Sequence, residues 1–263
     1  MTYRKIYPSS SIKSIVQFFW EFEGDFCDSI PYEHSVTASI YPKLAFQYEG
    51  RMTQNNGQNQ LFKSGFQCQT NSFHQISACQ KTGIFGVYFH SYAIPLLFNI
   101  PADRLTNYNI EISDLLGKEG EEVEERIMLC NSLKERIQII TEFIERKLKN
   151  VLTESKNIIS AVNYIISSKG IIDIPELIES HFLSQRQFER KFKELTGFSP
   201  KMFSRIVRFE ECISKAVSGR QSLTELTFAS GYYDQSHMIK DFREFSGNSP
   251  KSYFSEDLSI FFD

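Results

Sequence analysis

Hydrophobic and polar positions follow two different patterns along the chain. Residues 35–41, 44–48 and 84–90 are short apolar or alternating runs that are rich in aromatic and β-branched residues. Such runs are typical of β-strands, and the turn-forming segment 54–58 separates two of them. Short strands with turns between them favour a sandwich or a small barrel. We therefore predict that residues 1 to about 116 are mainly β-sheet.

The residues after Gly117 instead carry apolar side chains at helical spacing. Helices are predicted over 119–130 and 132–148, and Ser132 and Glu135 have the spacing of a capping box at the start of the second helix. That helix has one apolar stripe, formed by Leu133, Ile137, Ile140, Ile144 and Leu148. The stripe can pack on the β domain or on a second copy of the chain, and the latter alternative predicts a homodimer.

The polar stretch 149–156 is the candidate linker between two domains, with the boundary near Thr153. A chain of 263 residues is long enough for two domains that each bury a core. The predicted class is α+β, in which residues 1–153 form a mainly-β domain closed by two helices. Residues 154–263 form an all-α domain.

The last third of the chain contains an internal repeat. The segment SQRQFERKFKELTGFSP at 184–200 matches DQSHMIKDFREFSGNSP at 234–250, at an offset of 50 residues. Upstream, residues 175–177 match residues 224–226 at an offset of 49 residues, which places a one-residue difference in a turn between two helices. A repeated pair of helices with a short turn predicts two helix-turn-helix units.

Residues that start and end helices occur at corresponding positions in the two copies. The helix-starting residues are Asp173, Ser184, Ser199, Ser222, Asp234 and Ser249, and the helix-ending residues are Gly197 and Gly247. Gly231 favours a positive φ in the turn of the second unit, where the first unit has residues 181–183. A helix from Pro200 to about Ser218 joins the units, and its length of about 27 Å approaches the roughly 34 Å repeat of the major groove.

Helical geometry divides the second helix of each unit into two faces. Phe188, Phe192, Met238 and Phe242 lie on apolar stripes that we assign to the core. The opposite faces carry arginine, lysine and hydroxyl groups, which bind base edges and phosphates in a major groove. The predicted DNA-contacting residues are Ser184, Gln185, Arg186, Gln187, Arg190, Lys193, Lys201, Gln235, Ser236, His237, Lys240, Arg243 and Lys251.

The net charge of −3 conceals a local concentration of positive charge. Residues 184–208 contain seven basic and two acidic residues, whereas residues 234–251 contain three of each. We therefore predict that the first unit dominates sequence readout and that the second mainly positions the protein on the phosphate backbone.

In these motifs the chain resembles the arabinose-regulator family of bacterial transcription regulators (AraC/XylS type). The resemblance covers residues 157–254 and rests on Gly197-Phe198-Ser199-Pro200, Gly231-Tyr232-Tyr233-Asp234, Gly247-Asn248-Ser249-Pro250 and the Arg186-x-Phe188-x-Arg190-x-Phe192 pattern. The chain departs from the family pattern at Ile178, Thr227, His237, Met238 and Lys240. A second resemblance, over residues 86–117, is to the cupin-like front domain of one branch of that family.

The resemblance implies a sequence-specific regulator, more often an activator, that binds double-stranded DNA. It also implies that the N-terminal domain senses a small-molecule effector, forms a homodimer, or does both, and that the regulator contacts RNA polymerase. The sequence does not identify the effector.

Two other classes of function fit the sequence less well. A cupin-type metal enzyme with a DNA-binding tail would need a cluster of ligands, but His34, His74 and His90 are isolated and no His-x-His motif with a following glutamate occurs. A protein-interaction module would fit the weak charge of the second unit, but not Arg186, Arg190 and Lys193 on one face.

No catalytic residue, metal ligand or cofactor is therefore predicted, and the chain is not expected to be an enzyme. The five scattered cysteines and the lack of a signal peptide or a membrane-spanning apolar segment favour a cytoplasmic protein.

Overall fold

The computed structural model describes residues 1–26, 32–55, 60–61, 64–148, 156–218 and 222–255. Within these residues the N-terminal half is built on one antiparallel sheet. Its strands are β1 (Thr2–Ile6), β2 (Val16–Phe26), β3 (Tyr32–Val36), β4 (Lys43–Asn55), β5 (Gln60–Leu61), β6 (Gly65–Gln67), β7 (His74–Phe89) and β8 (Asn109–Glu111). The strand order is β1-β2-β7-β4-β6-β8, while β3 pairs with β7 and β5 pairs with β4. This confirms the predicted β domain.

The sheet is apolar on both faces, which explains why residues 84–90 read as a continuous apolar run. On β7, Phe85, Val87 and Phe89 belong to the core shared with the helices of this domain. Ile84, on the opposite face, belongs to a second cluster with β2 and β4 residues. That second face borders a cavity of about 90 Å³.

Four helices follow or interrupt the strands of this domain: α1 (Ala93–Phe98), α2 (Ile112–Leu116), α3 (Lys118–Met128) and α4 (Leu133–Leu148). The two predicted helices after Gly117 are thereby confirmed. Ser132 caps α4, since its Oγ accepts from Glu135 N at 3.3 Å. The Glu135 carboxylate accepts instead from Asn131 N, so only half of the predicted capping box forms.

The apolar stripe of α4 packs on its own domain. Ile140 and Ile144 are fully buried in the β-domain core, and Leu133, Ile137 and Leu148 are packed against that core. Arg136 lies beside them and forms a buried ion pair with Glu21 of β2, with a distance of 3.0 Å between Nη1 and Oε1. The first of the two alternatives for the stripe is the one observed.

The C-terminal domain is all-α. Its helices are α5 (Lys156–Ser167), α6 (Ile174–Glu179), α7 (Gln185–Thr196), α8 (Pro200–Ser218), α9 (Leu223–Ala229), α10 (Gln235–Ser246) and α11 (Pro250–Tyr253). The predicted connector helix is confirmed as α8. The predicted boundary near Thr153 falls in residues 149–155, outside the described residues, as does the centre of the predicted turn at 54–58.

The prediction of a strand over residues 35–41 is wrong for most of its length. The strand β3 ends at Val36, and after it Ser39 forms an isolated antiparallel bridge with Thr70 of the β domain. Ala38 N donates to Phe245 O at 2.9 Å, and Ala38 and Ile40 are buried in the helical core. The alternation of apolar residues here reports burial against another domain, which sequence periodicity cannot distinguish from burial in a sheet.

Polar contacts also join the two domains at this junction. Ser39 Oγ donates to Glu210 Oε1 of α8 at 2.8 Å. Thr106 Oγ1 donates to Gly197 O, at the C-terminal end of α7, at 3.2 Å. The β domain therefore contacts both the connector helix and the ends of the helices α7 and α10.

Candidate DNA-binding surface

The first helix-turn-helix unit consists of α6 and α7. Asp173 accepts from Glu176 N at the start of α6, and Ser184 and Gln187 form a complete capping box at the start of α7. Gly197 ends α7 with φ of 85°. A Cβ atom at this position would lie 2.3 Å from both Gln69 Nε2 and Thr106 Oγ1, so the β domain also requires glycine here.

The second unit repeats this arrangement with α9 and α10. Ser222 and Glu225 form a complete capping box on α9, and Asp234 caps α10 by accepting from His237 N. Gly247 ends α10 in the left-handed conformation, with φ of 76°. The helix starts and stops predicted from the repeat are confirmed.

The turns of the two units differ. Gly231 has φ of 73°, as its position in the sequence predicts. The first unit places a phenylalanine, Phe182, in the same left-handed region with φ of 54°, and its side chain is 97% exposed. In the second unit Tyr233 is 87% exposed just before α10. We did not predict these exposed aromatic residues, because an isolated aromatic residue in a sequence is typical of a core position.

Burial separates the two faces of α7 and α10 as the helical spacing predicts. Phe188, Phe192, Met238 and Phe242 are at most 1% exposed. Twelve of the thirteen predicted contact residues are exposed, and His237, whose ring packs edge-on against Tyr232, is half-buried. The predicted residues thus lie on the exposed faces and around the ends of the two helices.

Several of these side chains are already engaged within the protein. Ser184 and Gln187 bond to each other in the capping box, and Gln185 Nε2 donates to Glu189 at 3.0 Å. Arg190 forms an ion pair with Glu194 at 2.8 Å. Solvent-exposed pairs of this kind are weak, so Arg190 can exchange its partner for a phosphate or a base.

The basic residues without such partners form the part of the surface available to DNA. Within the described part of the chain, no ion pair or side-chain hydrogen bond engages Arg186 and Lys193 on α7 or Lys240 and Arg243 on α10. A guanidinium or ammonium group in this state can bind a phosphate or a guanine edge without first breaking a bond inside the protein.

The charge difference between the units is smaller than the sequence count predicts. Arg205, counted with the first unit, forms ion pairs with Asp241 and Glu244 of the second unit, both at 2.7 Å. Arg208 donates to Gly170 O at 3.0 Å and is also directed inward. The first unit thereby has two fewer available cations, and two of the three acidic residues of the second unit are neutralised.

The described residues contain no group of three or more histidine, cysteine, aspartate or glutamate side chains arranged to hold a metal ion. His34 and His74 lie in the β domain, and burial lowers the pKa of each to about 4, with the nearby Lys43 ammonium as the next cause. None of the helices within the described ranges is long and apolar enough to cross a membrane.

Two known families match separate parts of the chain. A family described as a helix-turn-helix domain matches residues 179–256. A family described as a domain of unknown function (DUF6597) matches residues 4–111. No curated protein matches the chain.

Solved structures of ToxT from Vibrio cholerae are similar over most of the chain. The O395 form is 13% identical, with 92% of this chain and 98% of ToxT covered and a TM-score of 0.49. Wild-type ToxT from strain SCE256, with an unsaturated fatty acid bound, is 12% identical, with 89% and 93% covered and a TM-score of 0.45.

The match over residues 179–256 begins at the end of α6 and covers α7 to α11, so it includes both outward basic faces and the whole second unit. The C-terminal part of this chain is accordingly a helix-turn-helix domain of the arabinose-regulator (AraC) type, the DNA-binding domain of a family of bacterial transcription regulators.

Proposed function

We propose that this chain is a cytoplasmic regulator that binds specific duplex DNA sequences through α7 and α10 and activates transcription in response to a ligand of its β domain. The observation that carries the DNA-binding part is the pair of outward helix faces, each with unengaged cations, at corresponding positions of a duplicated unit. The activator role rests on the family resemblance.

We infer that α7 reads bases through Arg186 and Arg190 and that Lys193, Lys240 and Lys251 bind phosphates. A bidentate arginine contact contributes about 1 to 3 kcal/mol of discrimination between bases. A lost phosphate contact weakens binding to all sequences alike and lowers the salt slope by about one. With Arg205 and Arg208 occupied internally, Arg243 of α10 is a second candidate for base readout.

The test uses the full chain and a randomised duplex library, from which bound sequences are selected and then titrated at two salt concentrations. Arg186→Ala is expected to reduce the ratio of specific to non-specific affinity, whereas Lys240→Ala weakens both. Lys134→Ala, an exposed residue of α4, is the matched control and leaves both unchanged.

Absence of salt-dependent association between the folded chain and any duplex would refute the proposed function. If Lys240→Ala removes discrimination while Arg186→Ala and Arg190→Ala preserve it, the assigned roles are reversed.

Control by a ligand is supported by the junction between the domains. The β domain contacts α8 through Ser39 and Glu210, and it contacts the ends of α7 and α10. A change in the β domain therefore reaches the elements that position both recognition helices. A dimer through the α4 stripe is not favoured, because the stripe is covered within its own domain, and contact with RNA polymerase stays a proposal from the resemblance.

A further inference from the structure

Three cavities meet at one lysine of the β domain, Lys43. The first, of about 690 Å³, is polar and includes Gln67, His74 and Asn109 in its lining. A second, of about 90 Å³, lies on the aromatic face of the sheet. The third, of about 400 Å³, lies between the domains and is lined on the helical side by Val207 and Glu210. Lys43 lines all three.

In the described part of the chain, Lys43 has no negatively charged partner of its own. It starts β4 opposite Tyr88 of β7, and its Nζ lies 4.7 Å from the centre of the Tyr88 ring. Among the described residues it forms no ion pair. His34 and His74, which also line these cavities, are neutral at pH 7 because burial lowers the pKa of each to about 4.

Glu210 of the connector helix is an acidic residue that interacts electrostatically with Lys43. Its carboxylate accepts from Ser39 and from the Ile40 backbone N–H, and burial nevertheless raises its pKa to about 7. The Glu210 carboxylate is therefore engaged in hydrogen bonds at the domain junction, and it is only partly ionised at neutral pH. The half-buried ammonium of Lys43 is left with uncompensated positive charge at a solvent-accessible cavity, where an anion would be stabilised.

The lining of the aromatic cavity indicates the chemistry of the part of the ligand that does not contact Lys43. Tyr3 and Trp20 are stacked with ring centres 6.3 Å apart, and Met52 and Ile84 complete the apolar wall. The residue of β7 opposite Trp20 is Gly86. A Cβ atom at this position would lie 2.3 Å from the indole ring, so the glycine makes room for Trp20. A cavity of about 150 Å³ is known to bind benzene, so one of 90 Å³ takes one ring at most and has no room for a long acyl chain.

Two buried polar atoms in these walls also lack partners. Trp20 Nε1 and His74 Nε2 form no hydrogen bond within the described ranges. Buried donors and acceptors are seldom left unsatisfied in native proteins, and a polar group of a bound ligand would provide the missing bonds.

We propose that the β domain binds a small aromatic acid, with a single ring in the aromatic cavity and its carboxylate on Lys43. This inference rests on the proposed function only in naming that acid as the effector. The Lys43 charge helps to keep Glu210 ionised, so a bound carboxylate would offset that charge and favour protonation of Glu210 at the junction.

The experiment follows the fluorescence of Trp20, the single tryptophan of the chain, in the full-length protein. Benzoate, phenylacetate and 4-hydroxybenzoate are titrated to 10 mM, with calorimetry as a second readout. Benzamide, the neutral isostere, and decanoate, an aliphatic acid, are the comparison ligands. At least one aromatic acid is expected to bind saturably and at least tenfold more tightly than either comparison ligand, which corresponds to about 1.4 kcal/mol.

Three variants test whether the acid binds at Lys43 and in the aromatic cavity. Lys43→Gln is expected to weaken binding of the acid at least tenfold without changing that of benzamide, and Ala45→Leu, which fills the aromatic cavity, to weaken both. Lys118→Gln, an exposed lysine of the same domain, leaves binding unchanged. Circular dichroism verifies that each variant is folded.

The proposal is overturned if no acid of the panel binds, if benzamide or decanoate binds as tightly, or if Lys43→Gln binds like the unmodified chain. DNA binding is measured separately. If the acid binds and DNA does not, the proposed function is refuted and this site is retained. If DNA binds and the acid does not, this site is refuted and the proposed function is retained.

Discussion

Arg205 joins the connector helix α8 to α10 of the second unit, and its removal should destabilise the C-terminal domain strongly. Its Nη2 and Nε lie 2.7 and 3.2 Å from Asp241 Oδ1. The Asp241 side chain is fully buried, whereas that of Arg205 is 20% exposed. The guanidinium also lies 4.9 Å from the centre of the Phe245 ring and pairs with Glu244.

Removing one partner of a buried ion pair costs about 3 to 5 kcal/mol, because the other charge stays buried without compensation. Protonation of the stranded carboxylate limits this cost. For a carboxyl group with the usual aspartate pKa of about 3.9, protonation costs about 4 kcal/mol at pH 7 and about 1.5 kcal/mol at pH 5. The more exposed pair with Glu244 adds at most about 1 kcal/mol. We therefore expect Arg205→Ala to cost about 3 to 4 kcal/mol at pH 7 and about half as much at pH 5.

The assay is urea unfolding of the full chain followed by circular dichroism at 222 nm, at both pH values. Lys201→Ala, an exposed position one turn earlier on α8, is the matched control and should change the free energy of unfolding by less than about 0.5 kcal/mol. Adding Asp241→Asn to Arg205→Ala should recover part of the loss. A loss below about 1 kcal/mol at pH 7, or a loss of equal size at both pH values, would refute the reasoning.

Three further predictions concern other parts of the fold. Because burial raises the Glu210 pKa from 4.5 to about 7, the protonated form is favoured on folding, and stability from this group declines as pH rises between these values. The free energy of unfolding of Glu210→Gln relative to the unmodified chain should therefore increase between pH 5 and pH 8, by at most about 3 kcal/mol, and a pH-independent difference would contradict this. Gly86→Ala places a Cβ atom against Trp20 and should shift the Trp20 emission and cost about 1 to 3 kcal/mol, whereas an unchanged spectrum would show that the ring does not lie over this glycine. Phe182→Gly removes an exposed side chain from a left-handed backbone position and should raise the free energy of unfolding by up to about 1 kcal/mol in thermal unfolding, and an unchanged or lower value would contradict this.

The local structure of the C-terminal domain follows from nearby residues and can be predicted from sequence alone. Caps act within four residues, so Ser184, Ser222 and Asp234 could be assigned as helix-starting residues without knowledge of any distant contact. Burial of Phe188 and Phe242 follows from helical spacing alone. The duplication then placed Arg190 and Lys193 at positions that correspond to Lys240 and Arg243, which is why the candidate DNA surface could be predicted residue by residue.

Which polar groups are available and which are engaged depends on contacts between residues that are distant in sequence. Arg205 and Arg208 were counted as part of a basic surface, but their partners Asp241 and Gly170 lie 36 and 38 residues away. Residues 37–41 were predicted as strand and instead pack against the other domain. No sequence pattern singles out Lys43, because its site joins residues of several strands and of α8. Ion pairs, domain junctions and cavities depend on contacts between distant residues, and neither periodicity nor charge counting along a single chain records which distant residues meet.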